Sequence, residues 1–300
     1  MVAEILVATA DGLHRFDAAS GDHRIEHAGR EVTFVAPEGW ELWAILEGRE
    51  IMHTAGVDWW FHVGTLSGLR AQCIADTRAG VIVGTSRAHL CRIAGEGVER
   101  VESFDQATGR KEWFTPWGGP PDTRSLTEDG DTVYVNVHVG GVLRSRDHGE
   151  SWEPTIEIGA DVHQVTTGHG NVYAAGAAGL SLSADKGTTW STSDDGLHAS
   201  YCRAVAVCGD TILLTASTGP RGGRSAVYRG PIDGTSFERC DGGLPWFGHN
   251  IDTYCLDAKP DGSLAAFGME DGRLFTSTDQ GRSWSQHAKG LPEVRRVLVT

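Results

Sequence analysis

Three copies of one eight-residue pattern, S-x-D-x-G-x-[ST]-W, constrain the fold of this chain more than any other feature. They occupy residues 145–152, 183–190 and 277–284. The Asp carboxylate can accept hydrogen bonds from backbone N–H groups of its own turn, the Gly permits a positive φ, and the Trp can pack between sheets. The pattern therefore predicts a repeated tight turn between two outer strands. The structural aspartates of these turns are Asp147, Asp185 and Asp279.

This pattern resembles the Asp-box, or BNR, repeat of sialidase-like β-propellers. In that family the repeat is structural and lies on the face opposite to the ligand. The resemblance implies a β-propeller fold for nearly the whole chain. It also implies that the ligand is bound by residues outside the repeats.

The composition and the spacing of apolar residues favour an all-β protein. The chain of 300 residues has 40 glycines and 40% hydrophobic residues. Short alternating apolar runs are separated by glycine-rich turns, which is typical of β-sheets. No long segment shows the helical period, and no apolar run reaches the ~18 residues that a membrane-spanning helix requires. We therefore expect an all-β protein without a membrane partner.

Charge and cysteine content narrow the range of partners and compartments. The formal net charge is −14, and an acidic surface repels the phosphates of nucleic acids, so we expect no nucleic-acid partner. Residues 1–9 read as a strand rather than as a secretion signal. The six cysteines show no C-x-x-C spacing, which predicts free thiols rather than a disulfide framework. Together these features predict a cytoplasmic protein.

Repeated strand patterns predict seven blades of four strands each. The second strands of the blades start roughly 40 to 50 residues apart. They comprise residues 5–10, 42–46, 81–85, 133–139, 172–175, 212–216 and 264–267. The first has no inner strand before it, and the strand at 293–299 has no blade after it, so joining them completes a blade and removes an open sheet edge. The prediction is a single domain, residues 1–300, folded as a seven-bladed β-propeller whose C-terminal strand completes the N-terminal blade.

Aligning the inner strands by their distance from the second strands places one residue of each blade in a common layer. The layer comprises Val32, Arg70, Arg124, His163, Arg203, Tyr254 and Arg295. Inner strands line the axial channel of a propeller. All residues of the layer except Val32 are polar or cationic, so we predict that they bind a ligand.

Four arginines in one layer need negative charge nearby, because a guanidinium keeps its proton. Two sources are open at this stage. A bound carboxylate or phosphate could supply the charge, or nearby side chains could, which would make the layer structural. The candidate side chains are Asp122, Asp161, Asp252 and Glu293.

The resemblance to sialidases implies one catalytic use of this layer. Enzymes of that superfamily bind the sugar carboxylate with an arginine triad and use a Tyr nucleophile, a partnering Glu and an Asp acid, which would make Tyr254 the nucleophile. Asp252 and Glu270 are further catalytic candidates. The family's N-terminal Arg-Ile-Pro motif is absent, and sialidase propellers have six blades. The photosystem assembly-factor propellers, which have seven blades, Asp-box repeats and a basic patch, are more similar in blade number.

Several of the 13 histidines fall near the predicted ligand face. His163, His198 and His249 lie at or near the starts of inner strands, and His138 ends the second strand of the fourth blade. Neutral imidazoles together with a carboxylate suit Zn, Cu or Fe. An alternative prediction is therefore a divalent-metal site at these four histidines, which could also supply a general base.

Two insertions, residues 103–121 and 217–224, are expected to cover this face. The first contains Trp113 and Trp117, which could stack on a ligand or cap a sheet. Two hypotheses for function result. The first is a binding propeller whose cationic channel holds an anionic small molecule or an acidic protein segment. The second is an enzyme on the same face, either a glycoside hydrolase or lyase acting on an acidic sugar, or a His-ligated metalloenzyme.

Overall fold

The computed structural model describes residues 3–55, 59–95 and 97–300. These residues form seven four-stranded antiparallel sheets, the blades of a β-propeller. Sheet 1 has the strand order β28-β1-β2-β3, and each of sheets 2 to 7 takes the next four consecutive strands, from β4–β7 to β24–β27. The seven-bladed, four-stranded fold predicted from the repeats is confirmed.

Apart from β28, the strands of the first four sheets lie within residues 4–154. They are β1 (Glu4–Thr9), β2 (Gly12–Asp17), β3 (His23–Glu26), β4 (Val32–Glu38), β5 (Glu41–Leu46), β6 (Glu50–Thr54), β7 (Trp60–Thr65), β8 (Ala71–Thr77), β9 (Gly80–Thr85), β10 (His89–Ala94), β11 (Gly97–Arg100), β12 (Thr123–Asp129), β13 (Thr132–Val137), β14 (Gly141–Ser145) and β15 (Glu153–Pro154).

Sheets 5 to 7 and the closing strand of sheet 1 follow in the second half. Their strands are β16 (Val162–Gly168), β17 (Asn171–Gly176), β18 (Gly179–Ser183), β19 (Ser191–Ser193), β20 (Tyr201–Cys208), β21 (Thr211–Ser217), β22 (Ala226–Pro231), β23 (Glu238–Arg239), β24 (Leu256–Ala258), β25 (Ala265–Gly268), β26 (Leu274–Ser277), β27 (Ser285–Ala288) and β28 (Val294–Val299). The predicted second strands coincide with β1, β5, β9, β13, β17, β21 and β25 to within two residues at either end.

Helical structure in the described residues is confined to the insertion after β11. It consists of α1 (Glu102–Asp105) and one 3₁₀ turn (Arg110–Glu112). Within the described part of the chain, no helix is long and apolar enough to cross a membrane.

The packing of the chain defines two compact units. The first comprises Met1–Val32, Tyr173–Leu182 and Ser191–Thr300, and the second comprises Thr33–Val172 and Ser183–Trp190. Sheets 1, 6 and 7 belong to the first unit, and sheets 3 and 4 belong to the second. The single domain over residues 1–300 stays a prediction.

The C-terminal strand completes the N-terminal blade, as predicted. β28 pairs antiparallel with β1, so that Val299 lies opposite Ile5 and Val297 lies opposite Val7. All four of these side chains are buried in the core of the first unit. The inner edge of β1 is therefore covered by a paired strand, and its backbone N–H and C=O groups are satisfied.

The three repeated turns share one hydrogen-bond network. In the second copy, the Ser183 hydroxyl donates to Asp185 Oδ1 (2.8 Å) and accepts from the N–H of Gly187 (2.7 Å). Asp185 Oδ1 also accepts from the N–H of Thr189 (2.8 Å), whose hydroxyl donates to Oδ2 (2.7 Å). The same bonds recur in the other two copies. The carboxylate therefore closes its own turn, as the spacing predicts.

In the third copy, the tryptophan that ends the pattern continues the turn into the core. Trp284 is 5% exposed, and its ring meets that of Phe267 edge to face at 5.0 Å. Its indole N–H donates to the carbonyl of Gly281 in the same turn (3.1 Å), where φ is +80°. The turn and the core of the first unit are thus linked through one side chain.

All six cysteines are free and buried, which agrees with the prediction from their spacing. Burial raises the pKa of the Cys208 thiol to about 11 and that of Cys240 to about 12. A thiol with such a pKa stays protonated near neutral pH and acts as a small apolar side chain.

Truncating the core tryptophan is expected to be costly. Trp284→Ala removes a buried ring and leaves a cavity, so we expect the free energy of unfolding to fall by about 3–5 kcal/mol. Trp40→Ala, at a residue that is 87% exposed, should change it by less than about 0.5 kcal/mol. Urea unfolding followed by circular dichroism measures both. Equal effects of the two substitutions would contradict the packing described for Trp284.

The second turn should also make stability depend on acid pH. Hydrogen bonds, chiefly from the backbone N–H of Thr189, lower the pKa of Asp185 from 3.8 to about 2. Because the pKa is lower in the folded chain, this stabilisation is complete above the unfolded pKa and is lost as the pH falls through the folded value. We expect Asp185→Asn to reduce the drop in melting temperature between about pH 4 and about pH 2. Asp210→Asn, at an exposed residue, is the control and should leave that drop unchanged.

Candidate functional site

Four inner strands carry a β-bulge near their start. The register shifts in β8, β12, β20 and β28, and the residues on these bulges include Gln72, Arg124, Arg203 and Arg295. A bulge takes a residue out of the regular alternation and redirects its side chain. In sheet 3 the bulge residue is Gln72. The predicted layer has Arg70 in this blade, which is two positions too early.

Three of the four bulge residues contact a carboxylate that lies shortly before the next inner strand. Gln72 Nε2 donates to Asp122 (3.2 Å), which precedes β12. Arg203 Nη1 donates to Asp252 (2.6 Å), which lies before β24. Arg295 pairs with Glu31 before β4 (3.0 Å).

The predicted arginines therefore have different surroundings. Arg203 also donates to the carbonyl of Pro220 (3.1 Å), so the insertion at 217–224 reaches this inner strand. Arg295 pairs with Glu293 (2.5 Å) as well as with Glu31. Arg70 is exposed, and its guanidinium lies against Gly48. For Arg203 and Arg295, side chains supply the negative charge that the sequence analysis required.

Asp161 occupies the corresponding position before β16 but has different partners. Its Oδ1 lies 3.0 Å from His138 Nε2 and 3.3 Å from His163 Nε2. The side chains of His138 and His163 are 5% and 0% exposed, whereas that of Asp161 is 30% exposed. Two buried imidazoles thus face one carboxylate that is open to solvent on its other side.

The spacing of these atoms matches that of ligands around one metal ion. The three ligand atoms lie within 4.8 Å of one another. At a metal–ligand distance of about 2.1 Å, neighbouring ligands are ~3.0 Å apart in an octahedral site and ~3.4 Å apart in a tetrahedral one. Both distances also suit an ion pair or a hydrogen bond between the carboxylate and each imidazole. The same spacing would allow all three side chains to bind one shared ion.

Buried polar contacts hold the two imidazoles in place. The backbone N–H of His138 donates to the carbonyl of Asp122 (2.9 Å). Next to His163, the carbonyl of Val162 accepts from Asn136 (2.7 Å). Ser125 contacts the same Asn136 side chain and accepts from the N–H of Val165. The starts of β12 and β16 are therefore joined by buried hydrogen bonds directly beside the candidate ligands.

The protonation states of this group suit metal binding. Burial lowers the pKa of His138, and the positive charge of Arg124 lowers it further, against the opposing effect of Asp161. Burial raises the pKa of Asp161, but its contacts with His138 and His163 outweigh this effect and hold the pKa below its usual range. At neutral pH, His138 is therefore a neutral imidazole and Asp161 a carboxylate, the forms that bind metal ions.

The insertion at 103–121 supplies one wall of the site. Trp117 is 67% exposed, and its ring centroid lies 5.2 Å from that of His138. Trp113 is buried instead, with its ring 5.6 Å from Phe104 and under the guanidinium of Arg110. Trp113 therefore packs inside the insertion, whereas Trp117 faces His138.

The other predicted metal ligands lie elsewhere. His198 Nδ1 is hydrogen-bonded to the hydroxyl of Tyr228 (2.7 Å), and His249 lies 3.7 Å from Glu270 on an exposed surface. Neither residue belongs to a group of potential metal ligands within the described residues. The four-histidine prediction thus reduces to His138 and His163, with Asp161 as third ligand.

The predicted catalytic residues do not gather at this group either. Tyr254 has φ of +61°, and its ring lies under the guanidinium of Arg296 at 4.3 Å. Asp252 is the ion-pair partner of Arg203, and Glu270 faces His249. Their catalytic roles stay predictions.

The sequence analysis named Asp161 only as a compensating charge. The signal for its second role was a short repeat, [DE]-x-[RH], at the starts of inner strands: 122–124, 161–163 and 293–295. Only the copy at 161–163 ends in His.

A further group, Glu38, Glu41 and His53, also has metal-ligand spacing and was missed, because its members lie on three different strands or turns.

Comparisons with known proteins bear on the fold alone. No protein-family model and no curated protein matches this sequence. Solved structures do match. A candidate 6-phosphogluconolactonase from Bacteroides uniformis superposes with a TM-score of 0.69 at 11% identity, over 100% of this chain and 99% of that chain.

Two further solved structures illustrate the range of proteins with this fold. An ancestral GH74 enzyme matches with a TM-score of 0.63 and 15% identity, over 100% of this chain and 40% of the enzyme. YCF48 bound to D1 peptide matches with a TM-score of 0.59 and 14% identity, over 93% of this chain and 86% of that one. At these identities, the similarity establishes that the chain has the β-propeller fold and leaves its activity open.

Proposed function

We propose that this protein binds a divalent transition-metal ion through His138, Asp161 and His163 and uses it to hold an anionic small molecule. The observation that carries the proposal is the position of Asp161 Oδ1, 3.0 and 3.3 Å from the Nε2 atoms of two buried imidazoles. Two imidazoles and one carboxylate suit Fe, Zn or Cu and leave coordination positions open.

The surroundings of the three ligands favour an anionic molecule at the open positions. Arg124 lies close enough to lower the pKa of His138, and a guanidinium next to a metal ion can bind a second oxygen of a carboxylate or phosphate. Trp117 offers an exposed ring beside the same imidazole. A metal ion in such a site can also polarise a bound carbonyl or activate water.

Both binding and enzymatic roles occur among proteins of similar fold. One structural neighbour is bound to a peptide, and others are a candidate lactonase and a GH74 enzyme. The proposed metal site is compatible with either role, since the same open coordination positions hold a ligand or a substrate.

We also propose that the three turns are Asp-box repeats and that the chain is related to sialidase-like propellers. Their shared Ser–Asp–Gly–Ser/Thr hydrogen bonds support this relation.

The six buried free thiols suit a reducing compartment such as the cytoplasm, where we expect the protein to act.

Metal binding is tested by titrating the metal-free protein with Zn²⁺ and Co²⁺ in a calorimeter. We expect one ion per chain, and we expect His138→Ala and His163→Ala each to weaken binding more than about a hundredfold, because each removes a direct ligand. Co²⁺ bound to the wild type should give a visible d–d spectrum that both variants lack.

His249→Ala is the matched control, since this histidine is exposed and faces Glu270. It should leave the affinity within about twofold of the wild type. The proposal fails when the wild type binds no ion at micromolar concentration. It also fails when stoichiometric binding survives both His138→Ala and His163→Ala.

The anion is tested separately. In the metal-loaded protein, Arg124→Gln should retain the ion but weaken the binding of acetate and phosphate by about tenfold, because it removes one charged hydrogen-bond donor. Perturbation of the Co²⁺ spectrum measures both. An unchanged anion affinity would exclude Arg124 from the site without affecting the metal assignment.

A further inference from the structure

A second cationic cluster lies in the first unit, around Trp246. Trp246 follows β23 and is 38% exposed. The guanidinium carbon of Arg224 lies 4.4 Å from the centre of its ring, and that of Arg239 lies 4.6 Å from it. The His198 ring meets the same indole edge to face at 4.7 Å. We call these residues, together with Tyr228, the Trp246 cluster.

The cluster combines residues that are far apart in the chain. His198 lies before β20, Arg224 before β22, Tyr228 within β22 and Arg239 at the end of β23. A hydrogen bond of 2.7 Å joins His198 Nδ1 to the hydroxyl of Tyr228. The cluster therefore rests on sheet 6 and on three loops next to its strands.

The two arginines differ from three other arginines of sheets 6 and 7. Arg203, Arg229 and Arg273 each pair with a carboxylate. Within the described residues, neither arginine of the Trp246 cluster forms an ion pair, and Arg239 Nη1 is buried without a hydrogen-bond partner. In a chain of net charge −14, carboxylates are plentiful, so two unneutralised guanidiniums at one indole are unexpected.

His198 adds a third hydrogen-bond donor, and its imidazole is uncharged. Burial lowers the pKa of His198, and the charges of Arg224 and Arg239 lower it further. When Tyr228 donates to Nδ1 of the neutral ring, Nε2 carries the proton. That atom is also buried and lacks a hydrogen-bond partner among the described residues. Two guanidiniums and one imidazole thus lie around a single indole ring.

We propose that the Trp246 cluster binds the phosphate monoester group of a small molecule. A phosphate monoester carries a charge of about −1.5 to −2 at neutral pH and three acceptor oxygens, which matches two guanidinium charges and one neutral donor. Arginine binds such groups with two parallel hydrogen bonds. The bound group would neutralise the repulsion between the two guanidiniums and satisfy the buried donors on Arg239 and His198.

The test is calorimetric titration of the metal-free protein, in which the metal site holds no ion to bind anions, with glucose 6-phosphate and inorganic phosphate, and with glucose as the ligand that lacks the phosphate. We expect saturable one-site binding of both phosphates and none of glucose. Arg239→Gln should weaken glucose 6-phosphate binding by about tenfold or more, because it removes charged hydrogen bonds. Arg224→Gln should do the same. Circular dichroism of each variant confirms that it is folded.

Two variants serve as controls. Arg221→Gln removes the same charge from the loop that carries Arg224, at an exposed residue, and should leave the affinity unchanged. His163→Ala should also leave it unchanged, which separates this site from the metal site. The proposal is overturned by an absence of saturable phosphate binding in the wild type. It is likewise overturned by an equal loss in Arg221→Gln, which would indicate general charge attraction, or by acetate binding as tightly as phosphate.

Discussion

The candidate site depends on one recurring interaction: a bulge residue of one inner strand contacts a carboxylate that lies just before the next inner strand. Gln72 with Asp122 and Arg203 with Asp252 are two instances. The bulge directs a polar side chain sideways, and the carboxylate neutralises or hydrogen-bonds it. Each contact joins consecutive blades and fixes the start of the second inner strand. Because the contact recurs in several blades, a different partner residue in one blade is enough to give the carboxylate a ligand-binding role there instead of a structural one.

Asp161 shows that conversion. It holds the place that a structural carboxylate takes in other blades, but its neighbours are His138 and His163 rather than a directly hydrogen-bonded bulge residue. An imidazole can lose its proton and present a lone pair, which a guanidinium cannot do. The same backbone geometry therefore supports an ion pair in one blade and the proposed set of metal ligands in another. Arg124, at the bulge of β12, brings a positive charge close to this set.

The turns and the strands could be predicted because their causes are local. Ser183, Asp185 and Gly187 form their network within five residues, and β-strand periodicity is visible in short windows. Side-chain convergence was predicted less well. The predicted layer takes Arg70 where the bulge carries Gln72, because sequence patterns locate strand ends only to within a few residues. Two of the four proposed metal ligands meet at one carboxylate, and the others lie in different surroundings.

The sequence by itself determined the seven blades, the hydrogen-bonded turns and the pairing of the C-terminal strand with the N-terminal blade. Each of these follows from short-range patterns of apolar residues, glycines and carboxylates that repeat along the chain. Only the tertiary structure decided which charges are neutralised and which polar groups converge. Arg203 meets Asp252, whereas Arg224 and Arg239 meet at Trp246. The reason is physical: such contacts join residues from separate strands and loops, and their distances depend on bulges and loop paths that no local pattern encodes.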